Sequence, residues 1–463
     1  MASFFSSPKR VVFIGAAGEM CRIAIDRFAA ATDISLVLAD INVATIEQLA
    51  SKLPAGRANT LKLDLYDRPA LLAATKGASL VVLGAGPYSK TSEPVLTACL
   101  ENKVPYLDFD DDVESTTAAL ALHEKAKAAG VPCFIGCGAS PGVTNVMAVD
   151  AAKGIDKVDT IDVCWLVGDE RPGIGKAVLE HLMHIAAGPC LTWANGKATV
   201  NESWVETGHA PMYGDQGETL LHETAHPEPV TLPRLFPNAH RIRCLGGLHP
   251  APFNGIARGL GNAVRRQQIT LDDAVGFLLN LINNPNPTEG WQAALGEASG
   301  YLRGGEISLN ELWQIIAHTA GALGPWRHAI YGMLEQIRTG ECTTGDVLSF
   351  LLDSARGKIG PYCAGLTVRV TGTRNGMPVV QMKRTSLSGE GSVLFKNMAS
   401  ITGGACAAFM LLALGDCSKL SGVFAPEDCF EPQAFYKALG RVGVPHNEIA
   451  HLLGDGEEPK SHL

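Results

Sequence analysis

The fold is decided by residues 10–21, which read RVVFIGAAGEMC. This stretch starts with a short apolar run that predicts a strand, turns at Gly15 and Gly18, and continues into Met20–Ala31, where apolar residues recur at helical spacing. Glycines at such a turn let the backbone approach a pyrophosphate, whose charge is stabilised by the free N–H groups at the helix start. The stretch therefore predicts the first strand, turn and helix of a dinucleotide-binding unit.

A second predicted strand, Ile34–Asp40, ends in an acid about 20 residues beyond the glycines. A carboxylate there accepts both ribose hydroxyls of an adenosine and repels a 2′-phosphate. No arginine follows within Ile41–Val43, so the sequence favours NAD over NADP. The predicted cofactor contacts are Gly15, Ala17, Gly18, Glu19, Met20, Asp40, Ile41, Asp64, Gly84, Ala85, Gly86 and Pro87.

Short apolar strands alternate with helical segments over the next hundred residues. Further strands are predicted at Asn59–Leu65, Ser79–Gly84, Val104–Asp108 and Cys133–Gly136, with a helix between each pair. This alternation predicts an α/β fold with a doubly wound parallel sheet.

The composition restricts the function classes. The chain has 463 residues, 46% hydrophobic and 18% charged, which is enough apolar material for at least two packed cores. Its 38 basic and 47 acidic residues give a net charge of −9, the wrong sign for a nucleic-acid-binding protein. The first ten residues contain no apolar run typical of a secretory signal, and the twelve scattered cysteines are typical of reduced thiols, so we expect a cytoplasmic protein.

Residues 397–415 contain no charged side chain and approach the length of a membrane span. Ser400, Thr402 and the small residues beside them make the segment only weakly apolar, which favours a buried helix and no membrane association.

Several motifs together resemble the saccharopine dehydrogenase family. They are Gly84-Ala85-Gly86-Pro87-Tyr88, Cys99, Tyr106-Leu107-Asp108, residues 126–131 (AKAAGV), residues 139–145 (ASPGVTN) and, near the carboxyl terminus, residues 422–427 (GVFAPE). The resemblance implies a Rossmann domain over 1–146, an inserted α+β domain over 147–396 that holds substrate and dimer contacts, and helices over 397–463 that return to the Rossmann domain. Members oxidise or reduce the C–N bond of amino-acid conjugates such as saccharopine or carboxynorspermidine, or of lysine itself, and others have no known substrate.

The chain departs from the family pattern at two places. Cys21 stands where the usual turn has its third glycine. The lysine-pathway members read Thr-Ser-Tyr where this chain reads Asp108-Phe109-Asp110, followed by Asp111 and Asp112. Carboxylates beside the expected substrate cleft argue against saccharopine itself as the substrate.

The middle of the chain loses the strict alternation. Val158–Val167 predicts a strand, a helix is predicted through Met183, and Asn195-Gly196 and Asn375-Gly376 predict hairpin turns. Residues 270–357 are largely helical in pattern.

Two histidine pairs have spacings compatible with zinc. His222-Glu223-Thr224-Ala225-His226 matches the zinc-protease pattern, but Pro227 would end the required helix at its second ligand, so we interpret the match as chance. His181 and His184 lie three apart on a predicted helix without an apparent third ligand, which favours two packed or surface histidines. We therefore predict no bound metal.

Four aspartates, Asp108, Asp110, Asp111 and Asp112, leave three interpretations open. They are a divalent-ion site, a solvated loop before a helix, and a site that recognises a substrate ammonium or iminium through one acid. We prefer the third for part of the cluster.

The candidate catalytic residues are Tyr88, at the carboxyl edge of the sheet, Asp110 or Asp111, and more weakly His181. Tyr88 is equally explained as a side chain packed at the cofactor edge. Arg258 and Arg265 are candidates to bind a substrate carboxylate, although ordinary surface arginines explain them as well.

These residues predict an NAD-dependent oxidoreductase that acts on the C–N bond of a small amine or imine related to an amino acid. A homodimer is expected from the resemblance. Two alternatives stay open: a reductase of a C=C or C=O bond on the same fold, and a dinucleotide-binding protein without catalytic activity.

Overall fold

The computed structural model describes residues 9–171, 173–212, 218–283, 303–304, 308, 324–385 and 388–453. Within these ranges the strands form two sheets.

The first sheet is parallel and confirms the predicted doubly wound α/β fold. Its strand order is β15-β6-β5-β4-β1-β2-β3, so the direction of winding reverses between β1 and β4. Both of these central strands are buried on both faces, which explains their uninterrupted apolar sequences. The strands are β1 Arg10–Ile14, β2 Ser35–Asp40, β3 Ala58–Lys62, β4 Leu80–Leu83, β5 Tyr106–Asp108, β6 Pro132–Phe134 and β15 Gly422–Phe424.

Helices connect the strands of this sheet. They are α1 Glu19–Ala31, α2 Val43–Ser51, α3 Arg68–Thr75, α4 Tyr88–Asn102, α5 Val113–Ala121 and α6 His123–Ala129. Two details differ from the sequence prediction. The third strand ends at Lys62, which leaves Asp64 in the following loop, and the helix predicted before β6 is divided in two at Leu122.

The second sheet contains both parallel and antiparallel strand pairs. In the sequence, its strands β7 to β14 lie between β6 and β15 of the first sheet. β7 is parallel to β12 and antiparallel to β13, and the strand order is β10-β11-β12-β7-β13-β14, with β8 also pairing with β12 and with β9. The strands are β7 Lys157–Val167, β8 Pro189–Ala194, β9 Lys197–Glu202, β10 Thr207–Ala210, β11 Thr219–Glu223, β12 Arg241–Leu248, β13 Gly365–Arg374 and β14 Met377–Arg384.

The two predicted Asn-Gly turns are confirmed as the tips of the β8–β9 and β13–β14 hairpins. Asn195 and Gly196 have φ of +54° and +70°, and Asn375 and Gly376 have +52° and +77°. Two successive positive φ angles match the right-handed twist of the paired strands, and asparagine and glycine adopt them at least cost.

The second sheet and the helices that lie between β6 and Met398 in the sequence are called the second unit below. These helices are α7 Val143–Ala152, α8 Lys176–Ala187, α9 Glu228–Thr231, α10 Pro252–Arg265, α11 Leu271–Asn283, α12 Pro325–Thr339 and α13 Thr344–Ala355. The helical pattern predicted over 270–357 is confirmed by α11, α12 and α13, and most of residues 284–323 lies outside the described residues.

The carboxyl-terminal segment returns to the first sheet. Its helices are α14 Met398–Leu414, α15 Pro426–Cys429, α16 Pro432–Arg441 and α17 His446–Leu453. The charge-free helix α14 packs on α1, and a Cβ at Gly403 would lie 2.5 Å from the carbonyl oxygen of Met20. Strand β15, which sequence analysis missed because it has only three residues, pairs with β6. Among the described helices, none is long and apolar enough to cross a membrane.

Candidate functional site

The glycine turn after β1 lies against the loop that follows β4. Gly15 has φ of +83°, and a Cβ there would lie 2.5 Å from the backbone nitrogen of Ala85. Gly18 caps α1, where the first intrahelical bond is donated by Arg22 N to Gly18 O. The N–H groups of Glu19 and Met20, which precede that bond, are therefore available to an anion.

Asp40 is held against this turn. Its Oδ2 accepts a 2.9 Å hydrogen bond from Ala17 N, and its Oδ1 accepts one of 2.8 Å from Asn42 N. Each carboxylate oxygen retains a further lone pair that a sugar hydroxyl can use. The neighbouring Ile41 side chain is 71% exposed and offers an apolar surface beside the carboxylate.

Cys21 fills the space that a third glycine would leave open. Its side chain is buried, and a Cβ at Gly84 would lie 2.8 Å from Cys21 Sγ. The thiol therefore packs against the bare backbone at the end of β4. Burial raises the pKa of Cys21, so the residue is a neutral packing group.

Of the other predicted cofactor contacts, Gly84 to Pro87 form the loop between β4 and α4. Thr91 fixes this loop, because its hydroxyl donates a 2.6 Å hydrogen bond to Ala85 O. Asp64 is exposed after β3, and its Oδ1 accepts a hydrogen bond from Tyr66 N.

Tyr88 is packed under the loop that it follows. Its ring meets Phe109 edge to face at 5.9 Å, and its hydroxyl lies 3.5 Å from Leu83 O. Burial and the nearby aspartates raise the pKa of Tyr88 well above its usual value. This geometry favours the packing interpretation of Tyr88 over an acid–base role.

The aspartates at the end of β5 and in the loop that follows it occupy different environments. Asp108 and Asp110 are buried and bind the loop itself: Asp108 Oδ1 accepts from Asp110 N, and Asp110 Oδ1 accepts from Asp112 N. Burial raises the pKa of Asp108 to about 6 and that of Asp110 well above its usual value. The Ser92 hydroxyl donates a hydrogen bond to the other carboxylate oxygen, Oδ2, of Asp110. Both oxygens of this candidate catalytic residue are therefore engaged within the protein.

Asp111 points the other way and meets His181 from the second unit. Its Oδ2 lies 3.1 Å from His181 Nε2, while His181 Nδ1 lies 3.0 Å from Asp112 Oδ1. Burial opposes a charged imidazole, but the negative charge of Asp111 and the hydrogen bond with Asp112 raise the pKa of His181 to about 9. The Asp111 side chain remains 34% exposed and the His181 side chain 20%.

Next to His181 lies His226, whose match to the zinc-protease pattern was interpreted as chance. The rings of His181 and His226 are 6.2 Å apart, and His226 Nδ1 lies 2.9 Å from Glu228 Oε2. The other oxygen of Glu228 accepts hydrogen bonds from the hydroxyls of Ser140 and Thr144. Glu228 is buried, yet the charge of His226 and its hydrogen bonds hold the pKa of this carboxyl below its usual value against the effect of burial.

A second buried carboxyl joins the carboxyl-terminal segment to this region. Asn145 Nδ2 donates a 2.8 Å hydrogen bond to Glu427 Oε2, and Glu427 Oε1 has no hydrogen-bond partner in the described part of the chain. Burial raises the pKa of Glu427 to about 7.

The two candidate arginines are engaged within the second unit. Arg258 is buried, donates to Trp204 O at 2.7 Å, and pairs with Glu341 at 2.7 Å. Arg265 pairs with Glu202. The expected contact of these arginines with a substrate carboxylate is therefore not supported, because each guanidinium already has an acidic partner.

Residues 222–226 do not form the helix that the zinc-protease pattern requires. β11 ends at Glu223 and α9 begins at Glu228, so the two histidines do not share a helix. His222 instead lies 2.9 Å from Glu341.

The fold and this site define a dinucleotide-binding α/β protein with a second, mixed-sheet unit. The glycine turn, Asp40 and the acidic loop lie at the carboxyl ends of the parallel strands, where ligands bind in open α/β sheets.

Residues 11–134 match the family model described as the saccharopine dehydrogenase NADP binding domain. The predicted resemblance is thus supported over residues 11–134, which are similar to the nicotinamide-dinucleotide-binding domain of that family.

Two curated relatives match parts of the chain. Carboxyaminopropylagmatine dehydrogenase of Synechocystis sp. is 32% identical over 165 residues, which are 33% of this chain and 40% of that protein. Carboxynorspermidine synthase of Vibrio cholerae is 36% identical over 94 residues, 18% of this chain and 22% of that protein. The chain thus matches less than half the length of either relative.

Among solved structures, apo saccharopine dehydrogenase (L-Glu forming) from Saccharomyces cerevisiae has the same fold. Its TM-score is 0.57 at 15% identity, and the match covers 93% of this chain and 97% of that one. At this identity the likeness concerns the fold alone.

Proposed function

We propose that the protein is a nicotinamide-dinucleotide-dependent oxidoreductase that acts on the C–N bond of a small amine related to an amino acid. The observation that carries the proposal is the Asp111–His181 pair, which combines a half-exposed carboxylate with a group from the second unit at the ligand-binding edge of the sheet. A bound dinucleotide would be held by the turn at Gly15–Met20, by Asp40 and by the Gly84–Pro87 loop, which lie along this edge.

The cofactor is proposed to be NAD. The matching domain is named for NADP, whereas Asp40 supports NAD because its two oxygens are fixed by Ala17 and Asn42 in a position to accept ribose hydroxyls. A 2′-phosphate would meet this negative charge. Ile41 would cover one face of the adenine.

The substrate is proposed to carry a nitrogen that binds at Asp111. This carboxylate is the exposed member of the acidic loop, and the surrounding negative charge attracts a cation. The names of the two relatives, which refer to carboxyaminopropylagmatine and carboxynorspermidine, are consistent with such an amine.

In this reaction the side chains of the protein bind and position the reactants. When bound, a nicotinamide would supply the redox chemistry by accepting a hydride from the carbon next to the nitrogen. Asp111 holds the nitrogen by hydrogen bonds, and His181 fixes Asp111. Tyr88 supports the loop beside the nicotinamide through its packing. A homodimer and a cytoplasmic location stay predictions.

The test is an assay of NADH formation with a library of amines and amino-acid conjugates. Asp111→Asn should lower kcat/KM by about 100-fold for any active amine while NADH binding stays unchanged. The matched control is Glu114→Gln, which replaces an acid on α5 that pairs with His184 and should keep wild-type turnover. Full amine-dependent turnover by Asp111→Asn would refute the assigned role.

A further inference from the structure

Three side chains that can bind a metal converge beside the acidic loop from three separate elements. Asp111 lies in the loop after β5, His181 on α8, and His226 between β11 and α9. One potential ligand atom from each lies within 4.8 Å of those of the other two. His226 is the third ligand that the spacing of His181 and His184 does not reveal.

Each histidine of this trio is oriented by a second carboxylate. Nδ1 of His181 lies 3.0 Å from Asp112, and Nδ1 of His226 lies 2.9 Å from Glu228. Glu228 is itself held by Ser140 and Thr144. A carboxylate on one ring nitrogen fixes the ring and makes the other nitrogen a better metal ligand, and such pairs typically support histidines that bind metal.

We propose that Asp111, His181 and His226 bind one divalent transition-metal ion, with Zn²⁺ as the best fit. Two imidazole nitrogens and one carboxylate oxygen form a donor set that Zn²⁺ accepts with a fourth position left open. Ligands at about 2.1 Å from a tetrahedral ion lie about 3.4 Å apart. The 3.1 Å between His181 Nε2 and Asp111 Oδ2 is close to that separation.

A purely structural ion pair explains less of this arrangement. It accounts for the two aspartates on His181 and for the electrostatic attraction between His226 and Asp111, but it does not explain why three potential ligand atoms lie within 4.8 Å of one another. The neighbouring combination of His226, Glu228 and Cys244 is completely buried. Because Glu228 is already held on both oxygens, that combination leaves no position for a further ligand.

The proposed site is partly open to solvent, since the side chains of His181 and Asp111 are 20% and 34% exposed. The inference rests on the proposed function only for the location of the substrate.

The test measures metal binding without substrate or cofactor. The full-length protein is treated with a chelator, dialysed, and titrated with Co²⁺ and then Zn²⁺, and bound metal and the ligand-field absorption of Co²⁺ are recorded. We expect one equivalent of Co²⁺ in a four- or five-coordinate spectrum and its displacement by Zn²⁺. His226→Gln and Asp111→Asn should each weaken binding by about 100-fold or more, and Glu228→Gln by about 10- to 100-fold.

His184→Gln is the matched control, because His184 lies one turn from His181 and pairs with Glu114 outside the trio. It should bind metal as the wild type does. Since His226 is buried, circular dichroism checks the fold of its variant, and Asp111→Asn gives the same test at a more exposed position. Absence of stoichiometric binding by the wild type, or unchanged binding in both variants, would overturn the metal site. An NADH titration of the metal-free protein distinguishes that failure from a failure of the proposed function.

Discussion

Nδ1 of His181 lies 3.0 Å from Oδ1 of Asp112, across the boundary between the dinucleotide-binding unit and the mixed-sheet unit. Asp112 also accepts a hydrogen bond from Ser89 N at the start of α4. The start of the helix after β4, the acidic loop after β5 and helix α8 are therefore fixed relative to one another. A substrate and a dinucleotide bound at this edge would meet in a defined geometry.

Asp40 should set the cofactor preference. Asp40→Ser removes the carboxylate that accepts the ribose hydroxyls and repels a 2′-phosphate. The Kd for NADH should therefore rise by about 10-fold, and the ratio of the Kd for NADPH to the Kd for NADH should fall. Fluorescence titration with both cofactors measures this. Asp33→Asn is the control, because Asp33 is an exposed acid in the loop that precedes β2. An unchanged preference in Asp40→Ser would exclude the role.

Gly15 should tolerate no side chain. Gly15→Ala places a Cβ 2.5 Å from Ala85 N at a φ of +83°, so we expect a loss of about 2–4 kcal/mol in the free energy of unfolding and of NADH binding. Gly77→Ala is the control, because Gly77 has a similar φ of +71° but open space around it, and it should cost only about 1 kcal/mol. Urea unfolding compares them, and equal losses would contradict the close approach.

Cys21 and Gly84 should be energetically coupled. Gly84→Ala forces a Cβ to within 2.8 Å of Cys21 Sγ, and Cys21→Gly removes that sulfur. The double variant should therefore be more stable than the sum of the single losses predicts, with a coupling of about 1 kcal/mol. Phe109 still lies 3.0 Å from the added Cβ, so the rescue should be partial. Strict additivity in urea unfolding would show that the two residues do not pack as described.

Glu427 should make stability depend on pH. Its pKa rises from 4.5 to about 7 on folding because the carboxyl is buried, so the folded state favours the protonated form. The stabilisation is complete below pH 4.5 and is lost as the pH rises through 7. Glu427→Gln should thus match the wild type near pH 4.5 and exceed its stability at pH 8 by up to about 3 kcal/mol.

The control for this pH dependence is Glu431→Gln, because the pKa of Glu431 is lowered, by hydrogen bonds that outweigh its slight burial. That variant should lose stability at pH 8. A pH-independent difference between Glu427→Gln and the wild type would contradict the raised pKa.

Local sequence determined the first sheet and its cofactor turn. The glycines, the apolar strands and Asp40 lie close together in the chain, and their spacing alone indicates the strand–turn–helix geometry. The Asn-Gly turns were predictable for the same reason, since two residues fix the turn.

The acidic loop was only partly predictable. The sequence indicates a cluster of acids but not their separate environments: Asp110 is buried within the loop, whereas the Asp111 side chain is 34% exposed beside His181. Consecutive Asp111 and Asp112 contact the two nitrogens of the same imidazole, so the alternation of a strand does not describe this loop.

The contribution of the second unit was not predictable from spacing. His181 meets Asp112 across 69 residues, Arg258 meets Glu341 across 83, and Ser140 meets Glu228 across 88. Partners this far apart in the sequence are brought together by tertiary packing, between the two units for His181 and Asp112 and within the second unit for Arg258 and Glu341. The pattern around His226 was therefore recognised as non-helical, but its place beside His181 was missed.

The central claim is that the turn at Gly15–Gly18 and Asp40 together bind a nicotinamide dinucleotide. Titration of the purified protein with NADH and NADPH, followed by the change in nicotinamide fluorescence, tests it most directly. The account predicts saturable binding, tighter for NADH than for NADPH, which Gly15→Ala abolishes. Absence of a fluorescence change with either cofactor, together with no heat of binding by calorimetry, would contradict it.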